Sequence, residues 1–474
     1  MGRGFMTRSF RRVAWISCAL VAASCAPRQK PVPPPVPPTQ TPAPAPAPTP
    51  TPPAPTPQPE PLPPPTRNEP RLAVGLAWDL DVVTFDVIRE LDATSTPAGN
   101  QGPVVTGTVT VRKTSTGIEL TSGTGSHGKR LFGGGRGDTL TFTEIGHRTS
   151  DLPDHGLLSG SSPTFRWNGK TWRGIPKVFV NPRGRLTLAT VLPLETYLVG
   201  VLPYEIGPLA DNLLEAGRAQ AIAARSFTLF YKGRRGIEGF DMFATVEDQV
   251  YGSVEGERPL ATRCVQSTRG QVAMSQGQPV RANYSSTCGG ITAEVWEAWP
   301  EMPRTYLVSH LDEGKGQVFC AASRHYRWHE EWTVAEFLAN VKKFGPASGV
   351  TLPAGGIGTL VDVRVASRST SGRVWRLEVV TTKGTIVVPA HVLRQVLRRP
   401  GHPESILRST LFKIDVRRAS GSRKPLSVVA SGAGNGHGVG LCQTGALGMA
   451  AAGIRGEAII AHYYTGSNLD RLYE

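Results

Sequence analysis

The sequence predicts an α+β protein: a β-rich amino-terminal part followed by a mixed domain, the whole preceded by a disordered proline-rich linker. Three observations carry this. Of 474 residues 41 are proline, and 21 of these crowd into residues 31–70, a stretch that cannot bury a core. Short runs rich in β-branched and aromatic residues recur from residue 71 to 171. A helical pattern becomes clear from Leu213 onward. Residues 71–474 are enough for a substantial interior, and a wholly disordered, collagen-like or coiled-coil chain is excluded.

Residues 1–25 read as an export signal. Arg3, Arg8, Arg11 and Arg12 form a positive start, residues 13–23 a largely apolar stretch, and AASC (22–25) a small-residue site. The apolar stretch is too short for a bilayer, which takes about 20 helical residues. The cysteine after small residues looks like a bacterial lipobox, which makes Cys25 the candidate lipidation site and the membrane a partner through a lipid anchor. Plain cleavage nearby is the alternative, since Ala22 is weaker than the usual leucine. Ala26 rather than an aspartate after Cys25 suggests the outer membrane of a diderm and a periplasmic location. Residues 26–70 then form the linker. In polyproline II geometry, at ~3.1 Å per residue, the forty residues 31–70 would hold the domain up to about 120 Å from an anchor; the alternative is a tail with no reach requirement.

Lys and Arg exceed Asp and Glu by 15, and by 11 once the four signal arginines are removed. That excess favours an anionic partner, although an arginine-rich genome background would give the same count. Export, and the lack of aromatics interleaved with basic residues, argue against nucleic acid. Cys264, Cys288, Cys320 and Cys442 remain for the folded region. In an oxidising compartment they predict at least one disulfide. No close C-x-x-C pair supports a structural zinc site.

Strands are expected at AVGL (73–76), VVTFDV (82–87), residues 104–111 and residues 139–142. Two more are expected around the turn NPRG (181–184). In the helix from Leu213, Gly217, Ala221, Ala224 and Thr228 make a small-residue face. Glu205 sits just before that helix among apolar, aromatic and conformationally restrictive neighbours. Desolvation there disfavours the charged form and makes a proton donor near neutral pH. The competing reading is a loop carboxylate welcomed by a helix start. The glycine-rich GNGHGVG (434–440) fits no phosphate-loop register. The Ala/Gly/Met run to Ile460 reads as one packed helix, with HYY (462–464) as its terminus.

Five blocks in order then carry a resemblance: LETYLVGVLPYEI (194–206), AQAIAARSF (219–227), DQVYGS (248–253), ANYSSTCGGITAEVWEAWP (282–300) and GNGHGVGLCQTGALGMAAAGIRGEAIIAHYY (434–464). Together with YLVSHLDE (306–313), SGRV (371–374) and LRSTLF (407–412), they resemble the stage II sporulation protein D (SpoIID/LytB) family. The resemblance covers residues 172–474 as a SpoIID-type catalytic domain, and matches residues 71–171 only loosely. It implies a lytic transglycosylase acting on peptidoglycan glycan strands already stripped of stem peptides by an amidase. Some members are instead described as amidase enhancers, so a non-catalytic wall-binding partner of an N-acetylmuramoyl-L-alanine amidase is the alternative.

The resemblance puts Glu205 at the position of the family's catalytic acid. Asp241, Glu247 and Asp248 are candidates for a second carboxylate, which the motif does not require. Arg225 could hold a substrate carboxylate or make a structural salt bridge. Gln249, Tyr251, Tyr284, Ser285, Ser286 and Thr287 offer hydrogen bonds and rings for sugar, or a well-satisfied turn. His437 and Gln443 would stand on a glycine-lined cleft wall; His437 either positions the sugar or bonds within its loop. Cys288 and Cys320 flank segments that the family pattern places near the cleft, and are the candidate disulfide. Some members bind zinc through His and Cys, and His310, His325 and His329 lie close in sequence. The close cysteine spacing of such sites is absent, so no metal or other cofactor is expected and zinc stays the disfavoured alternative.

Overall fold

Alternating side chains build the amino-terminal part. Among the described residues ten strands precede the first helix: β1 (Arg71–Leu80), β2 (Val82–Thr96), β3 (Gln101–Lys113), β4 (Ile118–Ser122), β5 (Arg130–Phe132), β6 (Thr139–Glu144), β7 (Thr164–Trp167), β8 (Lys170–Arg173), β9 (Ile175–Val180) and β10 (Leu186–Pro193). In β2, Val83, Phe85 and Val87 are buried while Thr84 and Asp86 face solvent, the period-two pattern of a half-buried strand. Phe85 meets Phe142 and Phe165 edge-on at 5.2 and 5.9 Å. Fully burying such a ring stabilises the fold by about 1.5–3 kcal/mol.

With β11 (Met242–Phe243) these strands form an eleven-stranded sheet in the order β11-β1-β10-β9-β6-β2-β3-β4-β5, with β7 and β8 branching from β2. Strands from both sides of position 171 share it, since β1 runs antiparallel to β10 with Arg71 opposite Pro193. The turn expected at residues 181–184 joins β9 to β10. This is a computed structural model, and it describes residues 68–96, 101–115, 117–123, 130–132, 138–144 and 164–474. The signal segment, Cys25 and residues 26–67 of the linker lie outside the described residues.

The last residue of β10 caps α1 (Leu194–Glu205), which is buried from Leu194 to Leu202. Burial on every face removes the one-sided period that marks a surface helix, and Pro203 within the last turn masks it further. The sequence therefore shows helix only from Leu213, and α1 is a correction to that reading. Gly207, at φ +78°, turns the chain out of the helix. The expected second helix is α2 (Leu214–Tyr231). Its small face allows close packing: a Cβ at Gly217 would stand 2.6 Å from the Cys264 sulfur of α3 (Pro259–Ser267).

Beyond α4 (Val295–Ala298) the chain builds a second core that the sequence did not reveal. There α5 (Val334–Ala347) and α6 (Ala390–Val396) accompany two three-stranded antiparallel sheets. Trp332, Phe337, Leu377, Val379, Ile386 and Val428 lie buried among them. The chain then returns to the first core through the strand Leu441–Cys442, which pairs in parallel with Tyr284–Ser285. The helix expected through Ile460 is two helices, α7 (Gln443–Ala451) and α8 (Gly456–Tyr463). Gly453 breaks them apart because its φ of +78° is left-handed.

The result is a mixed α+β chain with a large β-sheet in its amino-terminal part, as predicted. Among the described residues no helix is long and apolar enough to cross a membrane.

Candidate active site

Glu205 is the last residue of α1, not a loop residue ahead of α2. The difference reverses the electrostatic argument. A helix start favours a carboxylate, whereas the carbonyls of a helix end oppose one. Burial acts in the same direction and holds the Glu205 carboxyl above the usual carboxylate range. Hydrogen bonds from the Val250 amide and from the Tyr284 and Gln443 side chains pull the other way. The Val250 amide donates to Oε1 at 2.9 Å. Four separated segments thus meet at one carboxyl: the end of α1, the DQVYGS segment, the strand Tyr284–Ser285 and the first residue of α7.

Gln249 sets the direction of the Tyr284 proton. Its Oε1 accepts from the Tyr197 hydroxyl at 3.1 Å and from the Thr228 hydroxyl at 2.7 Å. Its Nε2 therefore donates to the Tyr284 oxygen at 2.9 Å. With that oxygen already accepting, the Tyr284 hydrogen is left for Glu205. Gln249 is itself fully buried, so it acts through Tyr284 and does not contact a ligand.

His437 stands behind the same strand. Its Nδ1 accepts the Val439 amide at 3.0 Å, and the ring bonds the Tyr284 backbone. Burial, with the charges of Arg394, Arg281 and Arg373, pulls it down to about 3, so the ring is neutral near neutral pH. The Trp299 ring lies 4.8 Å away. These contacts lie within the ring's own surroundings, and the residue is partly exposed.

Other expected contacts are engaged elsewhere. Arg225 requires a correction: it is completely buried, and its Nε and one terminal nitrogen each donate at 2.7 Å to the two carboxylate oxygens of Glu195. A guanidinium with no exposure cannot hold substrate. Tyr251 is also buried, stacked on Tyr197 at 5.2 Å, and belongs to the core rather than to a sugar platform. Ser285 accepts the Gly438 amide at 3.2 Å. Thr287 shares hydroxyl bonds with Ser323 at 2.8 Å and Thr444 at 3.1 Å. The Ser286 carbonyl accepts the Thr444 amide at 3.0 Å, while its side chain is half-exposed.

The second-carboxylate candidates are accounted for as well. Asp241 accepts the amides of Ala73 and Gly233. Asp248 is buried, paired with Arg234 and Arg235, and also accepts the Phe243 amide. Glu247 is exposed. The sulfurs of Cys288 and Cys320, the expected disulfide pair, lie 3.7 Å apart with both thiols free. A cavity of about 1070 Å³ has Trp296, Trp375 and His391 in its lining, and Glu205 is not among its lining residues.

The contribution of Val250 was missed because a backbone N–H has no sequence signature. Only its place next to Gln249 in a matched block could have pointed to it.

Known proteins resemble this chain over parts of its length. Residues 182–274 match the family described as stage II sporulation protein. Residues 313–440, which include most of the second core, match a domain of unknown function (DUF8618). An uncharacterized protein of Brachyspira hyodysenteriae is 25% identical over 326 residues, covering 66% of this chain and 76% of that protein. Stage II sporulation protein D of Bacillus subtilis is 27% identical over 294 residues, 59% of this chain and 74% of its own length. The amidase enhancer of the same organism is 26% identical over 311 residues, 57% of this chain and 40% of its own.

Proposed function

We propose that this chain, which carries a SpoIID domain and is distantly homologous to stage II sporulation protein D and to the amidase enhancer, is an exported lytic transglycosylase of peptidoglycan glycan strands. The observation that carries the reading is the Glu205 carboxyl, desolvated at a helix end and held by three neutral donors. Burial makes this carboxyl hold its proton more tightly than an exposed one, which suits donation to a glycosidic oxygen.

A glycoside hydrolase usually needs two carboxylates, one as acid and one to activate water or attack the sugar. A lytic transglycosylase uses the substrate's own C6 hydroxyl in place of water. Glu205 first protonates the oxygen bridging N-acetylmuramic acid and N-acetylglucosamine, and the bond to that oxygen breaks. The resulting carboxylate then takes the C6 hydroxyl proton as the 1,6-anhydro ring closes. The Val250, Tyr284 and Gln443 donors stabilise the carboxylate formed midway, and one residue serves both steps. The engagement of Asp241 and Asp248 in structural bonds is consistent with a single-carboxyl mechanism.

Likeness to the amidase enhancer favours a second reading, a wall-binding partner that stimulates an amidase without cleaving glycan. Digestion of amidase-treated and intact peptidoglycan by wild type and Glu205→Gln, with mass spectrometry of the products, separates the two. The first reading expects 1,6-anhydro ends from the stripped strands with wild type alone. Absence of anhydro ends from both substrates overturns it, and stimulation of an added amidase by both variants establishes the second.

A further inference from the structure

Three sulfurs and a carboxylate converge beside the Gln443 end of α7. Cys288, Asp312, Cys320 and Cys442 are each no more than 1% exposed, and their ligand atoms all lie within 4.8 Å of one another. We propose that these four side chains form a tetrahedral site for a structural divalent cation of zinc type. The set includes none of the histidines near it in sequence. His310 bonds the Thr292 hydroxyl, His325 is bonded by Arg408, and His329 bonds the Ser431 hydroxyl.

The sulfur spacing suits such an ion, and the carboxylate stands closer than the ideal edge. With Zn–S near 2.3 Å and Zn–O near 2.0 Å, a tetrahedron has S···S edges of about 3.8 Å and S···O edges of about 3.5 Å. Here Cys288 and Cys320 are separated by 3.7 Å, and the Cys288 sulfur lies 3.0 Å from Asp312 Oδ2. Backbone amides point at two of the sulfurs. The Cys442 sulfur accepts the Cys288 amide at 3.1 Å and the Gly445 amide at 3.3 Å, and the Cys288 sulfur accepts the Gly290 amide at 3.4 Å. Asp312 is oriented from behind, its Oδ1 taking the Tyr463 hydroxyl at 2.7 Å, so that Oδ2 faces the sulfurs. Such outer contacts fix the direction in which a ligand presents its lone pair. The buried guanidinium of Arg373, bonded to the Cys288 carbonyl at 3.0 Å, adds positive charge beside a set whose four anionic ligands exceed the charge of one divalent ion.

Chemistry selects the kind of ion. Burying a carboxylate among sulfurs without a cation is costly. Three thiolates and one oxygen suit zinc and disfavour calcium or magnesium, which take oxygen ligands. All four positions are filled by protein, which marks a structural rather than a catalytic centre. The ion would tie the loop following Tyr284 to the cap of α7, and so hold in register two side chains that reach Glu205. The sequence could not show this, because the ligands are between 8 and 154 positions apart and share no spacing motif.

The test uses the full chain purified without chelator or reductant. Elemental analysis and native mass spectrometry are expected to find one zinc per chain. Cobalt exchanged into the site should give thiolate-to-cobalt charge transfer and strong tetrahedral d–d bands. Peptide mapping after thiol labelling should show Cys288, Cys320 and Cys442 protected until a chelator is added. Asp312→Asn should lose metal to chelator faster than wild type. Cys264→Ser, whose sulfur lies outside the cluster, should keep both stoichiometry and spectrum. The wild-type measurements decide even if cysteine variants do not fold. Metal-free protein from zinc-supplemented culture with no cobalt spectrum, or mapping of Cys288 to Cys320 as a disulfide, would overturn the proposal. Glu205→Gln should bind metal as wild type does, so the fate of the glycan-cleaving reading is read separately.

Discussion

Val250 donates its backbone amide to Oε1 of Glu205 at 2.9 Å, joining two positions 45 residues apart. The bond fixes one oxygen of a carboxyl that burial pushes toward its neutral form. The ionised form is therefore disfavoured, yet has donors waiting for it when it is produced.

Replacing Glu205 by Gln removes the proton donor while keeping the side chain's size. Release of 1,6-anhydro ends should fall by about 10²–10⁴-fold, the usual share of a general acid or base. Retention of wild-type release would remove Glu205 from the chemistry.

The same substitution should change stability with pH in a defined sense. The folded-state pKa of Glu205 is raised, so the folded chain holds this proton more tightly than the unfolded chain. The stability so contributed is complete below the ordinary carboxylate range and is lost as pH rises through the folded value. Thermal melts should find Glu205→Gln more stable than wild type at neutral pH, with the difference disappearing in acid. An equal difference at both ends would contradict a raised pKa.

Tyr284→Phe and Gln443→Leu each delete a donor to the ionised carboxyl. Without it the pKa of Glu205 rises further, and the alkaline limb of the pH–rate profile should move to higher pH. A limb that stays in place in both variants would show that neither group touches the titrating carboxylate.

Arg225→Met leaves Glu195 buried without its partner, and urea titration should show a loss of about 3–5 kcal/mol. Removing both charges in Arg225→Met with Glu195→Leu should recover much of it. A stable single variant with weakened glycan binding would restore Arg225 as a substrate contact.

Gly200→Ala tests the packing of Tyr251. A Cβ at this helical position would stand 2.5 Å from the Tyr251 ring. Overpacking should cost about 1–3 kcal/mol, outweighing the gain of about 1 kcal/mol from helix propensity. A rise in melting temperature would show that the Tyr251 ring has room to move.

What could be read directly in the chain was local. Strand alternation such as Val83, Phe85 and Val87, the turn at residues 181–184 and the helix carrying Gly217 and Ala221 repeat at short range, and neighbouring residues suffice to show them. Glu205 was picked out by its block, and its desolvation by its neighbours. Helix α1 was illegible because every face from Leu194 to Leu202 is buried, which erases the period on which a helix reading depends.

Tertiary structure decided the rest, because partners distant in sequence set burial and direction. It turned Arg225 inward to Glu195, used Asp248 to bind two arginines, and placed Glu205 at the end of a helix rather than before one. It also brought Asp312 and Cys442 to the pair Cys288 and Cys320. The sequence by itself determined which side chains were available for chemistry. Folding determined which of them share a site, since hydrogen bonding and desolvation act over a few ångströms of space whatever the distance along the chain.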